Sequence, residues 1–151
     1  MDIAADNLES RDLDSKVEEL IEDFEYLESW EDRFRYIIDL GRKLEPMDEA
    51  LKTEETKVDG CTSQVWIVAG KEGNPPVLHF SADSDAHIVR GLIAILLTIY
   101  DGRTAREILD LDAKKMIARL GFAEHLSPNR ANGLFAMVGR IRQFASDTVD
   151  A

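Results

Sequence analysis

The sequence is short of cysteine and of positive charge. It has one cysteine, Cys61, among 151 residues. A single thiol cannot form an internal disulfide, and with no second cysteine at metal-ligand spacing it excludes both a disulfide scaffold and a zinc ribbon. A thioredoxin-type redox pair is excluded for the same reason. We therefore expect a free thiol.

The charge balance argues against nucleic acid as a partner. The chain carries 18 Lys and Arg against 30 Asp and Glu, for a formal net charge of -12. The basic residues are interleaved with acidic ones, whereas phosphate binding requires a clustered basic stripe. No membrane partner is expected either, because the longest uncharged stretch, Gly91 to Tyr100, is far shorter than the roughly 20 apolar residues of a membrane span. That stretch predicts a buried core helix.

The length and the start of the chain suggest a single cytoplasmic domain. A chain of 151 residues with 44% hydrophobic content fits one globular domain. The first residues are acidic and lack the basic start and apolar run of a secretory signal. Residues 1–13 show no apolar periodicity and are predicted to be a disordered acidic tail, with a single domain over residues 14–151.

Apolar spacing and capping residues predict a mostly helical chain. A first helix begins near Ser15, and a second runs from Trp30 to Leu44 with Ser29 as its cap and Pro46 as its stop. The central helix is predicted to follow Asp83 and Asp85, and a shorter helix is predicted to follow Thr104. A further helix is predicted between its cap Asp112 and Gly121, and the last helix begins at the cap-then-proline pair Ser127 and Pro128.

The middle of the chain predicts a β-hairpin. The run at residues 64–69, QVWIVA, is rich in β-branched and aromatic residues, and the turn cluster GKEGNPP separates it from VLHFSA. Residues around Thr56 to Val58 are a candidate third strand. This would place Cys61, in GCTS, at a turn between strands.

Two roles are possible for the single cysteine, a structural one and a reactive one. A single cysteine is often a small buried hydrophobe. Against this, Gly60 leaves space beside the sulfur and the predicted position is a turn at a sheet edge, which suits a reactive group. Protease-like catalysis needs a histidine within hydrogen-bond reach, and of His79, His87 and His125 we expect His79 to lie nearest.

Four segments resemble one family. VDGCTSQVWIV, SADSDAHIVRGLIAILL, HLSPNRANGLFAMVGRI and WEDRFRYIIDLGRKL are similar, in order and spacing, to the SufE family of sulfur-acceptor proteins. The resemblance covers about Phe24 to Ala145. Thr62 and Asn129 stand where other members often carry Gln and Ser.

The resemblance implies an α+β fold, with a small antiparallel sheet of about three strands packed against several helices, like SufE and the IscU scaffold. It implies that Cys61 accepts sulfur as a persulfide from a pyridoxal-phosphate-dependent cysteine desulfurase of the SufS type, stimulates that enzyme, and passes the sulfur to the SufBCD scaffold. The chain would be a carrier and not an enzyme, a monomer or weak homodimer with no cofactor and no metal.

Further residues are expected to support Cys61. Gly60, Ser63 and Gln64 form the predicted supporting loop, and Val65 with Trp66 is expected to shelter the sulfur. Three residues are predicted to contact the partner or orient the loop: Arg130, Asp83 and Asp85. Of these, Arg130 matches the arginine of the family's SPxR block.

Three alternatives stay open at this stage. One is a CsdE-type acceptor that serves a different desulfurase. Another is a cluster-binding scaffold like IscU, which needs several thiolate or imidazole ligands where this chain has one Cys and three His. The third is a thiol hydrolase that uses Cys61 and His79.

Overall fold

The chain combines helices with one small antiparallel sheet, which confirms the predicted α+β class. The computed structural model describes the backbone of residues 3–150 and the side chains of residues 13–122 and 124–150. The sheet has the order β1-β2-β3. Within the described residues the elements are α1 (Ile3–Tyr26), α2 (Trp30–Arg42), β1 (Val65–Glu72), β2 (Val77–Ser84), α3 (His87–Tyr100), β3 (Arg103–Thr104), α4 (Ala105–Asp110), α5 (Ala113–Leu120) and α6 (Pro128–Asp150), with 3₁₀ turns at Glu49–Leu51 and Ala123–His125.

Most predicted helix starts are confirmed, because each depends on a local capping bond. The Ser29 side chain accepts a hydrogen bond from the Asp32 N–H at the start of α2. Thr104 forms a capping box with Glu107 at the start of α4. Asp112 caps α5, which ends at Gly121 in the left-handed conformation.

The structure describes the backbone of most of the N-terminal segment, and the predicted disordered tail over residues 1–13 stays a prediction. Helix α1 begins at Ile3, within the region 1–13, while residues 1 and 2 lie outside the described residues. The tail contains several good helix formers, which is compatible with this extension. Contacts with the domain are seen from Leu13, which lies beside Gly102, and from Asp14, which pairs with Arg103 at 2.9 Å. The domain boundary near residue 13 stays a prediction.

The third strand is not the predicted one. Strand β3 is Arg103–Thr104, which pairs with Val77 and Leu78 of β2. The candidate segment Thr56 to Val58 instead makes one antiparallel bridge, between Lys57 and Trp66, on the opposite edge of the sheet. Two backbone hydrogen bonds fix this bridge, from the Val58 N–H to Val65 O at 2.8 Å and from the Ile67 N–H to Thr56 O at 2.9 Å.

The predicted cap of the central helix is wrong. Strand β2 continues in register with β1 up to the Val65–Ser84 pair, so Asp83 belongs to the strand. The N-cap of α3 is Ala86, which makes no side-chain capping bond. Asp83 is 2% exposed and Asp85 is exposed, and their carboxylates bind two different loops.

The central helix α3 is the buried axis of the molecule, as its apolar run predicts. Gly41 of α2 and Gly91 of α3 allow these two helices to touch: a Cβ on Gly91 would lie 2.1 Å from the Ile37 carbonyl oxygen. The side chains of α3 on its other faces meet the sheet, α1 and α6. This rigid framework positions the loop that carries Cys61.

Candidate functional site

Cys61 lies on a short loop whose two ends are fixed. Val58 and Val65 are paired through the bridge to β1, so only residues 59–64 stand outside the sheet. Gly60 has φ 90°, in the left-handed region that glycine adopts without strain. The thiol is therefore at a turn beside the sheet, as predicted, and its side chain is half-buried.

The loop is closed onto helix α6. The Cys61 thiol donates a hydrogen bond to the Gly133 carbonyl oxygen, with Sγ and O 3.6 Å apart. A Cβ on Gly133 would lie 3.6 Å from Sγ, and one on Gly60 would lie 3.4 Å from the Ala136 Cβ. Both distances are ordinary van der Waals separations, so the loop lies within contact range of α6 at these two glycines.

A second contact holds the end of the loop. The Gln64 N–H donates to Asp85 Oδ1 at 3.0 Å, and the Asp85 N–H donates to Gln64 O at 3.3 Å. The proposed role of Asp85 in orienting the loop stays a prediction, as does that of Asp83. The Asp83 carboxylate accepts from the Met47 N–H and pairs with Arg90.

Apolar residues surround the thiol, but not all of them are those that the sequence suggested. Val65 lines the cavity beside Cys61, as expected. Trp66 instead lies against Lys52, whose Nζ is 5.3 Å from the ring centroid. The remaining shelter comes from α3 and α6, through Val89, Leu92, Leu134 and Met137.

Burial disfavours the thiolate form of Cys61. It raises the pKa of Cys61 above its ordinary value, because a thiolate would lose hydration in this setting. Arg130 lines the same cavity from the first turn of α6, where its backbone N–H donates to Ser127 Oγ. Arg130 is exposed and is the one charged residue in the cavity lining among the described residues.

The expectation that His79 is nearest to Cys61 gains no support from the contacts of its ring. His79 is paired with Gly70 along the hairpin, and its ring lies 3.4 Å from Glu72 and 3.9 Å from Asp101. His125 is stacked on Trp30, with ring centroids 3.5 Å apart. No histidine is among the described residues that line the Cys61 cavity.

Gly133 and the apolar residues behind the thiol were not predicted from the sequence to belong to the site. A glycine inside a helix costs about 1 kcal/mol relative to alanine, so Gly133 within α6 was a signal of close packing. Val89, Leu92 and Met137 gave no such signal, because any core helix carries apolar residues at this spacing.

The candidate site is a single half-buried thiol on a short loop that packs against an α+β core. The family model described as "SufE: Fe-S metabolism associated domain" matches residues 18–145. The chain belongs to the SufE family, whose members act in sulfur transfer for iron-sulfur metabolism together with a cysteine desulfurase. None of the described helices combines the length and apolarity needed to cross a membrane.

Curated relatives support the same assignment. The chain is 49% identical over 133 residues to an uncharacterized SufE-like protein of Rhizobium etli, covering 87% of this chain and 90% of the relative. It is 47% identical over 139 residues to an uncharacterized SufE-like protein of Rhizobium meliloti strain 1021, covering 91% and 99%.

A solved structure supports the fold alone. The solution structure of a hypothetical protein from Thermus thermophilus matches with a TM-score of 0.72 at 20% sequence identity. The match covers 90% of this chain and 97% of the other.

Proposed function

We propose that this protein accepts sulfur from a pyridoxal-phosphate-dependent cysteine desulfurase of the SufS type onto Cys61 and stimulates that enzyme. It then passes the sulfur to a SufBCD scaffold in the cytoplasm. The observation that carries this proposal is the position of the only thiol, closed against α6 by few contacts on a loop with fixed ends. A CsdE-type acceptor would share this geometry and differ in its partner.

The transfer step is an exchange between two sulfur atoms. The Cys61 thiolate attacks the outer sulfur of the persulfide on the desulfurase, in line with the sulfur that leaves. The S–S bond on the donor breaks, a new S–S bond forms on Cys61, and the donor thiolate departs. The proton lost by Cys61 balances the one taken up by the donor thiol, and no external oxidant is required.

In this proposal the loop opens before transfer. The thiol is protonated and faces α6, so it is a weak nucleophile in this state. Opening breaks the Sγ contact with Gly133 O and the paired hydrogen bonds between Gln64 and Asp85. Gly60 and Ser63 lie in the turn on either side of Cys61. Arg130 lines the cavity, and we expect its guanidinium to meet the sulfur as the loop opens.

The chemistry of the lining favours a carrier over a cluster scaffold or a hydrolase. The described lining of the cavity contains one thiol and several apolar residues. It also contains the polar residues Thr62, Ser63 and Asn129 and the cation Arg130. A cluster scaffold needs several thiolate or imidazole ligands, and a thiol hydrolase needs a base on the sulfur. Neither arrangement is formed by the described residues around Cys61.

The direct test combines the protein with a SufS-type desulfurase, pyridoxal phosphate and free cysteine. We expect mass spectrometry to find one added sulfur on Cys61, and alanine release by the desulfurase to accelerate. Cys61→Ser is the matched control, because it removes the sulfur with little change of volume. Equal acceleration by the serine variant would refute the proposal, as would a Cys61 that stays unmodified during turnover.

A further inference from the structure

The outer edge of strand β2 is only partly paired. Strand β3 pairs with Val77 and Leu78 alone. Next to that pair the end of α3 meets the edge, where the Gly102 N–H donates to Leu78 O at 2.9 Å. The Phe80 N–H donates to Asp101 Oδ1 at 2.7 Å. Beyond Phe80 this edge has no neighbouring strand among the described residues.

The register of the sheet identifies which backbone groups of this edge are free. Successive residues of an antiparallel pair direct their N–H and C=O groups alternately toward the partner strand and away from it. The Ile67 N–H is bonded to Thr56 O on the far side of β1, so Ile67 does not exchange hydrogen bonds with Ala82, its partner in register. The Ala82 N–H and C=O groups therefore face the open edge of β2. Neither is bonded to any part of the chain that the structure describes.

An unpaired backbone at Ala82 is unusual because this residue is buried. Ala82 is 2% exposed. In folded proteins more than about 90% of buried backbone N–H and C=O groups are paired. A free donor and a free acceptor on one strand edge are the groups that bind an extended peptide added as a further strand.

A groove runs along this edge and shares no lining residue with the Cys61 cavity. Its volume is about 490 Å³, within the range of about 300–1,000 Å³ that is typical of ligand pockets. Residues 80–82 form the sheet side of the groove. Half-buried leucines from α1, from α2 and the residues after it, and from α3 form its apolar walls: Leu13, Leu40, Leu44 and Leu97.

The charged residues of the groove favour acidic side chains on the peptide. Lys16 and Lys43 line the groove, are exposed, and make no ion pair with the described residues. The lining also contains Glu45 and Asp101, and the Asp101 carboxylate is bound to the Phe80 N–H. The two ammonium groups can therefore pair with carboxylates of an occupant without breaking an existing ion pair.

We propose that an extended segment of a partner protein, with alternating apolar and acidic side chains, adds to the edge of β2 at Ala82. The segment accepts a hydrogen bond from the Ala82 N–H and donates to the carbonyl oxygens of Ala82 and Phe80. Successive side chains of a strand point to opposite faces. The apolar ones therefore contact the leucines, and the acidic ones lie on the solvent side with Lys16 and Lys43. This site does not involve Cys61 and does not rest on the proposed function.

The free protein provides the first test, through amide hydrogen exchange measured by NMR. Ser81 and Asp83 are the internal controls, because their N–H groups point toward β1 in the same strand. We expect the Ala82 N–H to exchange at least about tenfold faster than these two neighbours, since it needs no opening of the ladder. An Ala82 N–H that is as protected as its neighbours would overturn the inference.

The second test titrates the isotope-labelled full-length protein with an end-capped hexapeptide of alternating valine and glutamate. We expect saturable shifts of the resonances of residues 80–82 and of the groove leucines. Exchange of the Ala82 N–H should slow at least about tenfold in the bound protein, because the peptide now accepts this hydrogen bond. The same peptide with methylated backbone nitrogens keeps its side chains and cannot donate to β2, so it should not bind. A lysine and valine peptide should bind more weakly than the glutamate peptide.

Substitutions in the groove separate backbone from charge recognition. Ala82→Pro removes the free donor at a strand position where proline breaks no ladder bond, and we expect it to abolish binding while urea denaturation confirms a folded protein. Lys43→Glu should weaken the glutamate peptide by about threefold or more, as for an exposed ion pair. Lys114→Glu, an exposed position on α5 outside the groove, is the matched control and should bind like the parent protein.

Three results would overturn the proposal. One is the absence of saturable shifts at residues 80–82 with the glutamate peptide. Another is equal binding of the methylated peptide or of the lysine peptide, which would mean that neither the strand edge nor the charge of the groove selects the occupant. The third is a shift at Ala82 that depends on protein concentration without peptide, because a second copy of this chain would then occupy the groove.

Discussion

Asp83 and Asp85 stand two residues apart at the end of β2 and fasten two different loops with very different strength. Asp83 is 2% exposed and accepts hydrogen bonds from the Met47 and Ser84 N–H groups. It also pairs with Arg90, and Lys52 Nζ lies 3.4 Å away. Asp85 is exposed and its carboxylate accepts from the Gln64 N–H.

The difference in burial between Asp83 and Asp85 predicts a difference in how easily their contacts are broken. A buried carboxylate with a paired guanidinium is costly to disrupt, because removal of one partner leaves a buried charge. An exposed carboxylate competes with water for its partner, so its net contribution is small. We therefore expect the contacts of Asp83 with the Met47 segment to be harder to disrupt than the contact of Asp85 with the Cys61 loop.

The largest effect is expected for Asp83→Ala. Burial pushes the pKa of Asp83 upward, but the Ser84 and Met47 N–H groups and the Arg90 and Lys52 charges outweigh it and hold this pKa below its ordinary value. Its loss leaves Arg90 without its carboxylate, which should lower the free energy of unfolding by about 3 kcal/mol. Urea denaturation measures the change. A loss as small as that of an exposed residue would show that Asp83 is no anchor.

Asp85→Ala should affect the loop and spare the fold. The hydrogen bond lost in this variant is worth about 1 kcal/mol. If that free energy acts only on loop closure, the fraction of molecules with an open Cys61 loop should rise roughly fivefold. Iodoacetamide should then modify Cys61 about fivefold faster in the isolated protein, in proportion to the open fraction. Urea denaturation of the same variant should change little. An unchanged alkylation rate would mean that Asp85 does not restrain the loop.

The pH dependence of alkylation should reveal the closed seat of the thiol. Burial raises the pKa of Cys61, so the folded protein binds the thiol proton more tightly than the unfolded chain does. The closed position of the Cys61 loop is therefore fully stable below the ordinary thiol pKa, and it loses stability as the pH rises above that pKa. We expect the alkylation profile of the native protein to be displaced to higher pH than that of urea-unfolded protein. Superimposed profiles would contradict burial of the thiol.

Arg130→Gln should have the smallest effect on stability, within about 0.5 kcal/mol, because the side chain is exposed. It should slow acceptance of sulfur from the desulfurase, since the cation beside the cavity is lost. Arg106→Gln, an exposed position on α4, is the matched control. If both variants accept sulfur at the parent rate, the charge of Arg130 has no part in transfer.

The elements predicted well from sequence are those fixed by local chemistry. Ser29, Thr104 and Asp112 each bind an N–H group three residues ahead, so their sequence context alone revealed the helix starts. The turn position of Cys61 was accessible for a similar reason, because Gly60 and the start of the apolar strand are adjacent to it. The family resemblance added what local patterns do not carry.

The parts that sequence missed depend on contacts between distant segments. Asp83 has the spacing of a helix cap, but its carboxylate meets Met47 and Arg90, and only the fold brings these together. Strand β3 consists of two residues and leaves no periodic signal. The wall behind Cys61 is built from α3 and α6, whose relative placement is a tertiary property.

Alkylation of Cys61 should be compared in the isolated protein and in the presence of a SufS-type desulfurase without its cysteine substrate. We expect slow modification in the isolated protein and clearly faster modification when the partner is bound, with Asp85→Ala fast in both conditions. Equal rates for the parent protein with and without the desulfurase would contradict a thiol that is closed at rest and released to its donor.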